Sequence, residues 1–191
     1  MDERSIDGLE QKKQKQGGFW SEIIKFTLIT LLIVVPFRLY IAQPFIVSGA
    51  SMDPTFADGD YLIVDQISKD FTQPSRDSVV IFKYPKDPSK YFIKRIIGVP
   101  GDSIEIRNGI VVLNGKNLNE PFVADENKKL ENMDEIKLGS KEYFVLGDNR
   151  SGSFDSRSWG VVTENLIVGR PIVRLLPVPK FNVLPGDYST N

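Results

Sequence analysis

Two segments of this 191-residue chain offer partners for a nucleophilic reaction. The first is Ser48-Gly49-Ala50-Ser51-Met52-Asp53-Pro54-Thr55, where serines sit in a glycine-bearing stretch closed by a proline. The second is Tyr91-Phe92-Ile93-Lys94-Arg95-Ile96-Ile97-Gly98-Val99-Pro100-Gly101-Asp102, where two bases interrupt an apolar run. The chain has no histidine and no cysteine. That excludes a Ser-His-Asp triad, an imidazole base, a thiol nucleophile, a thiolate zinc site and an iron–sulfur cluster. A serine hydroxyl must then find another base. A lysine desolvated by apolar neighbours supplies one once its pKa falls from about 10.4 to roughly 7–8. On residue type, a serine of Ser48–Thr55 is the candidate nucleophile and Lys94 the candidate base. Plainer readings fit the same residues. The octapeptide reads as a simple turn, and Lys94 and Arg95 read as charges protecting an edge strand. Neighbouring residues of a strand face opposite sides, so one of Lys94 and Arg95 is expected to point into the domain.

A third segment, from Gly147 to Gly160, is dense in hydrogen-bonding groups: Asp148, Asn149, Arg150, Ser151, Ser153, Asp155, Ser156, Arg157 and Ser158. It reads as a solvated turn cluster, as an Asp–Arg network, or as a loop that supports a site. A calcium loop is disfavoured, because the acidic residues are few and the arginines repel a cation.

The elements that must position these residues fall into three stretches. Residues 1–18 are polar and charged, with Lys12, Lys13 and Lys15 close together, and read as a flexible tail. Residues 19–42 are predominantly apolar, and the stretch from Phe26 to Phe37 carries no charge. Lys25 and Arg38 stand where long side chains reach an interface, and Trp20, Phe37 and Tyr40 are suited to the same level. A single membrane anchor is expected here, with the bilayer as partner and the basic N-terminus cytoplasmic. An uncleaved secretory signal is the alternative, but no small-x-small site follows directly. Residues 43–191 are expected to form a mostly-β domain on the extracytoplasmic side. Strands are predicted over Tyr61–Val64, Val79–Tyr84, Tyr91–Val99, Ser103–Arg107, Ile110–Leu113, Glu142–Leu146 and Leu166–Leu176. Asn108-Gly109 is a strong hairpin signal and Asn114-Gly115 marks the next boundary. The charged stretch from Ala124 to Gly139 reads as a loop or a short helix. With 24 Lys+Arg against 25 Asp+Glu, the chain gives no reason to expect a nucleic acid partner.

Taken together, the three segments resemble the type I signal peptidases, and the likeness runs from the anchor to about Pro177. Ser48–Thr55 is similar to that family's nucleophile box, and Gly59–Val64 to the strand after it. Lys94–Asp102 is similar to its general-base box, and Gly147–Gly160 to its last box. There are departures. Arg76-Asp77-Ser78 stands where Arg-Gly-Asp is common, and Gly49 stands where some members carry a second oxyanion-binding hydroxyl, with Ser48 one residue further back.

The resemblance implies a β catalytic domain of the signal-peptidase type on one transmembrane helix, a compact member with no large inserted domain. It implies a serine endopeptidase that removes signal peptides from exported precursors at Ala-x-Ala-like sites, needing no cofactor and no metal. Ser51 is the implied nucleophile and Lys94 the implied base. The Ser51 N–H, with help from Ser48 or Gly49, would hold the oxyanion. Ser153 would hydrogen-bond and orient Lys94, and Asp155 would pair with Arg157 to support the loop. An extended substrate sends alternate residues to one side, so positions −1 and −3 would enter adjacent small pockets. Their expected walls are Ile46, Met52, Tyr91 and Ile93. Two competing readings are a self-cleaving Ser–Lys peptidase of the SOS-repressor type and an anchored β domain that binds exported proteins without cutting them.

Overall fold

The computed structural model describes residues 18–36 and 42–188. The expected tail over residues 1–17 and the interfacial Phe37, Arg38 and Tyr40 lie outside the described residues. The chain divides into two units, Met1–Phe37 and Arg38–Asn191.

The first unit contains helix α1, Phe19–Pro36. Eighteen residues at a rise of about 1.5 Å span about 27 Å, short of the roughly 30 Å of hydrocarbon in a bilayer. Ser21, Glu22 and Lys25 also fall within its first two turns. Among the described residues no helix is long and apolar enough to cross a membrane.

The second unit is built on β-sheet. Strands β1 (Ala42–Ile46) and β2 (Tyr61–Asp65) pair antiparallel on either side of the nucleophile-candidate segment. Next come β3 (Val79–Tyr84), the twelve-residue β4 (Asp87–Gly98), β5 (Ser103–Arg107), β6 (Ile110–Leu113) and the short β7 (Lys116–Asn117). They are followed by β8 (Met133–Lys137), β9 (Glu142–Leu146), helix α2 (Ser156–Trp159), β10 (Val162–Thr163), β11 (Ile167–Leu176) and β12 (Asn182–Val183). The large sheet runs β1-β2-β11-β3-β4-β9-β10, with β12 on β11, and the small sheet runs β7-β6-β5-β8.

Alternation explains the core. Val80 and Phe82 of β3 pack with Ile96, Val145 and Trp159, while Val79 and Ile81 pack with Met52, Phe56 and Leu62. In β9, Tyr143 and Val145 join the first cluster, whereas Phe144 and Leu146 join Ile97, Ile104 and Phe122. Val79–Phe82 of β3, the end of β4 and Tyr143–Leu146 of β9 are thus covered on both faces, which is why β3 and β9 read as apolar runs. Each fully buried Leu, Ile, Val or Phe contributes roughly 1.5–3 kcal/mol relative to exposure.

Six of the expected strands lie within two residues of the observed bounds, and β4 begins four residues earlier than predicted. Asn108 and Gly109 have φ of 49° and 78°, so both turn residues occupy the left-handed region of a two-residue hairpin between Arg107 and Ile110. Five strands escaped the sequence reading, and three of them, β7, β10 and β12, are two-residue pieces too short to show a pattern. β1 contains Pro44, which normally argues against a strand, but β1 is an edge and proline is tolerated there. β8 lies in the stretch read as loop or short helix. Its sequence Met-Asp-Glu-Ile-Lys shows no clear alternation because it too is an edge strand, with both faces half solvated.

Candidate active site

The two consecutive bases of β4 are both buried, which corrects the expectation that only one points inward. Lys94 is 4% exposed and Arg95 is 0% exposed. The reason is position: β4 is an interior strand between β3 and β9, and its second half is covered on both sides.

Lys94 Nζ lies 2.7 Å from Ser51 Oγ and donates to the Ile93 carbonyl at 2.9 Å. The Phe92 ring centroid is 5.5 Å away. No ion pair to Lys94 forms among the described residues. Burial therefore pushes the Lys94 amine down from 10.5 to about 8, opposed by the more distant carboxylates of Asp155 and Asp148 and assisted by the Arg157 charge.

Ser51 stands on the turn that follows β1. Gly49 sits at φ 88°, the left-handed region that a glycine enters freely. Three hydrogen bonds tie this turn to other parts of the domain. Asn149 N–H donates to the Ser51 carbonyl and Asn149 Nδ2 to the Ala50 carbonyl, both at 3.1 Å. Asn127 Nδ2 donates to the Asp53 carbonyl at 2.9 Å. Gly147 lies against the same turn. A Cβ placed there would meet the Ser51 carbonyl oxygen at 2.4 Å and Ser153 Oγ at 2.2 Å, so only glycine permits this approach. The Ser51 N–H itself makes no hydrogen bond among the described residues.

The supporting residues are partly where the sequence reading put them. Asp155 accepts from Arg157 Nε and Nη2 at 2.7 Å, and from Gly147 N–H at 3.1 Å. Arg157 also meets the Glu131 carboxylate. Ser153 differs from expectation. Its Oγ is buried and has no hydrogen-bond partner among the described residues, while Lys94 Nζ meets Ser51 Oγ and the Ile93 carbonyl. Gly49 differs as well, because its N–H donates to Asp58 Oδ1 at 2.7 Å and is not free for an oxyanion. Ser48 lines the open groove beside Ser51 with no hydrogen bond of its own among the described residues.

That groove holds about 300 Å³. It is lined by Ile46, Val47, Ser48 and Ser51 from the β1 side, by Tyr91, Ile93 and Lys94 of β4, and by Phe154. Ile46 and Tyr91 are exposed. Met52 is not a wall. Its side chain is 0% exposed and packs with Phe56, Leu62 and Ile81, because the turn that exposes Ser51 directs the next residue into the core. Trp159 is core, while Phe154 is half exposed and meets Tyr84 edge-on at 6.0 Å.

One network lay beyond the sequence reading. On the other side of β4, Arg95 Nε and Nη2 donate to both oxygens of Asp148 at 2.9 and 2.7 Å, and Nη1 donates to the carbonyls of Asp77 and Gly186. Thr55 Oγ1 donates to Asp148 Oδ2 at 2.5 Å, and Arg174 Nη2 donates to the Thr55 carbonyl at 2.7 Å. Asp148 and Arg95 were each visible in the sequence, but nothing in it pairs residues 53 positions apart. Among the described residues no cluster of acidic side chains could hold a metal ion.

The geometry is thus a serine hydroxyl within proton-transfer distance of a buried amine, beside a groove and the Ser51 backbone N–H. Comparison with known proteins agrees in kind. A family model described as signal peptidase, peptidase S26, matches residues 20–176. A protein named probable signal peptidase I-2 from Synechocystis sp. is 34% identical over 184 residues, covering 93% of this chain and 83% of its own. The signal peptidase I of Bacillus caldolyticus is 32% identical over 185 residues, covering 91% and 98%. A solved signal peptidase I from Enterococcus faecalis is 28% identical, with a TM-score of 0.46 over 52% of this chain and 97% of that one.

Proposed function

This chain belongs to the signal peptidase family, peptidase S26, and from that premise we propose that it is a serine endopeptidase removing signal peptides from exported precursor proteins at Ala-x-Ala-like sites with a Ser51–Lys94 dyad. The observation that carries this reading is the 2.7 Å separation of Ser51 Oγ from an amine whose pKa burial has lowered to about 8. Neutral Lys94 takes the Ser51 proton as Oγ attacks the scissile carbonyl. The oxyanion is met by the Ser51 N–H and the Ser48 hydroxyl. Lys94 returns its proton to the departing amine, and an acyl-enzyme remains. A water deprotonated by Lys94 then hydrolyses the ester. Ser153 is assigned a supporting role: its unpartnered hydroxyl is available to Lys94 when Ser51 Oγ has become the ester oxygen. Asp155 and Arg157 hold the loop that carries it.

The substrate lies extended in the groove, with alternate side chains against Ile46, Ile93 and Tyr91. Residues 19–42 are the anchor in this reading. Lys12, Lys13 and Lys15 keep the N-terminal side cytoplasmic, and residues 43–191 form the extracytoplasmic catalytic domain.

The test is incubation of the detergent-solubilised full chain with a precursor bearing an Ala-x-Ala site. Wild type should release the mature protein. Ser51→Ala and Lys94→Ala should each lose at least about 10³-fold in rate while keeping the wild-type circular dichroism. Undiminished cleavage by either variant would overturn the dyad.

A further inference from the structure

The segment joining β7 to β8 carries no reacting group, yet it reaches both halves of the candidate site. Asn127 is its central contact. Asn127 Nδ2 donates to the carbonyl of Asp53, two residues beyond Ser51, at 2.9 Å. The Asn127 carbonyl accepts from the N–H of Ser151, two residues before Ser153, at 3.0 Å. The same segment is pinned on either side. Glu120 receives both terminal nitrogens of Arg150, at 3.0 and 2.5 Å, and Glu131 pairs with Arg157.

We propose that Asn127 is a positioning residue for the peptidase reaction, holding the Ser51 turn and the loop that carries Ser153 at the separation that keeps Ser51 Oγ against Lys94. The inference rests on the Ser51–Lys94 reading. Its physical content is the chemistry of one carboxamide. The nucleophile turn presents its backbone carbonyls to neighbouring loops, and each carbonyl needs a donor. Asn149 supplies Ala50 and Ser51 from the last box, and Asn127 supplies Asp53 from the segment between β7 and β8. Asn127 joins the turn, through its side chain, to the loop that carries Ser153, through its carbonyl. Losing it would let the turn shift against β4, and displacements of about 1 Å at reacting atoms cost on the order of 10²-fold in rate.

The substitution Asn127→Ala removes the Nδ2 bond and leaves the backbone bond to Ser151. Asn127→Asp keeps the shape but turns an acceptor toward the Asp53 carbonyl. Lys128→Ala is the neighbour control, because among the described residues Lys128 pairs with Asp125 alone, on the surface. With the solubilised full chain and an Ala-x-Ala precursor, Asn127→Ala should lower kcat about ten- to a hundred-fold with KM within about two-fold. Asn127→Asp should lower kcat at least as far, and Lys128→Ala should match wild type. Wild-type kcat in both Asn127 variants overturns the proposal. So does a change confined to KM, or an activity loss that only tracks the fraction unfolded in thermal melts. Ser51→Ala run alongside separates the two levels: if it still cuts the precursor, the dyad reading has failed, whatever Asn127 does.

Discussion

Lys94 and Arg95 are consecutive, both basic and both buried, yet their surroundings are opposite. The guanidinium of Arg95 has a bidentate carboxylate, two backbone carbonyls and the Phe122 ring 4.2 Å from its centre. The amine of Lys94 has a hydroxyl, one carbonyl and an aromatic neighbour, with no carboxylate in ion-pair contact. A buried charge that is fully paired contributes to holding the fold together, and one that is left unpaired gives up its proton. The same strand therefore carries a structural cation on one face and a base on the other. Arginine suits the first task because its fork matches a carboxylate, and lysine the second because its pKa moves readily on burial.

The sharpest way to break this comparison is to remove each base in turn. Arg95→Met should leave Asp148 buried without its partner and cost about 3–5 kcal/mol, read as a large drop in thermal midpoint. Lys94→Met removes a desolvated amine of similar length and should leave the midpoint unchanged or raised, with cleavage lost. Equal destabilisation by both would erase the distinction.

A second measurement sharpens the Lys94 side. Its folded pKa is about 8 against an ordinary 10.5, so the free base forms as pH rises through about 8. The rate constant kcat/KM should climb about tenfold per pH unit below that point and level above it. Linkage gives the matching stability effect. Between pH 8 and 10.5 the unfolded chain binds more protons at this site, so wild-type stability relative to Lys94→Met should rise with pH over that window. A rate profile with no inflection near 8 would count against Lys94 as the base.

Gly147→Ala tests the contact between the two regions. Its Cβ would press on the Ser51 carbonyl oxygen and Ser153 Oγ, so activity should fall about ten- to a hundred-fold, with a smaller loss of thermal midpoint. The smallest effect belongs to Met52→Leu. Met52 is core and not groove wall, so this swap should cost under about 1.5 kcal/mol and leave the choice of residue at −1 and −3 unchanged. An altered preference would return Met52 to the pocket.

Much of the fold was legible because strands covered on both faces are apolar runs bounded by turn residues, as Val79–Tyr84 and Glu142–Leu146 are. The edges were not. β1 and β8 take their strand character from a partner's hydrogen bonds, and neither proline nor alternating charge announces that. The site was legible as three segments, but its supporting contacts were only partly so. Asp155 and Arg157 are two positions apart and readable together. Gly49 looked available, yet Asp58 occupies its N–H, and Ser153 looked engaged, yet its hydroxyl has no partner.

By itself, the sequence determined which chemistry was open. With no histidine and no cysteine, a serine hydroxyl in this chain must find its base among the amines and carboxylates. Residue type and local spacing also set the hairpins and the apolar strands, because those depend on neighbours in the chain. Only the tertiary structure decided that Ser51 and Lys94, 43 residues apart, stand 2.7 Å from each other, and that Lys94 is buried without a carboxylate while Arg95 is buried with one. The physical reason is that a pKa is set by solvent exclusion and nearby charge. Both are supplied by β3, β9 and the loop from Gly147 to Gly160, far from Lys94 in sequence and adjacent in space.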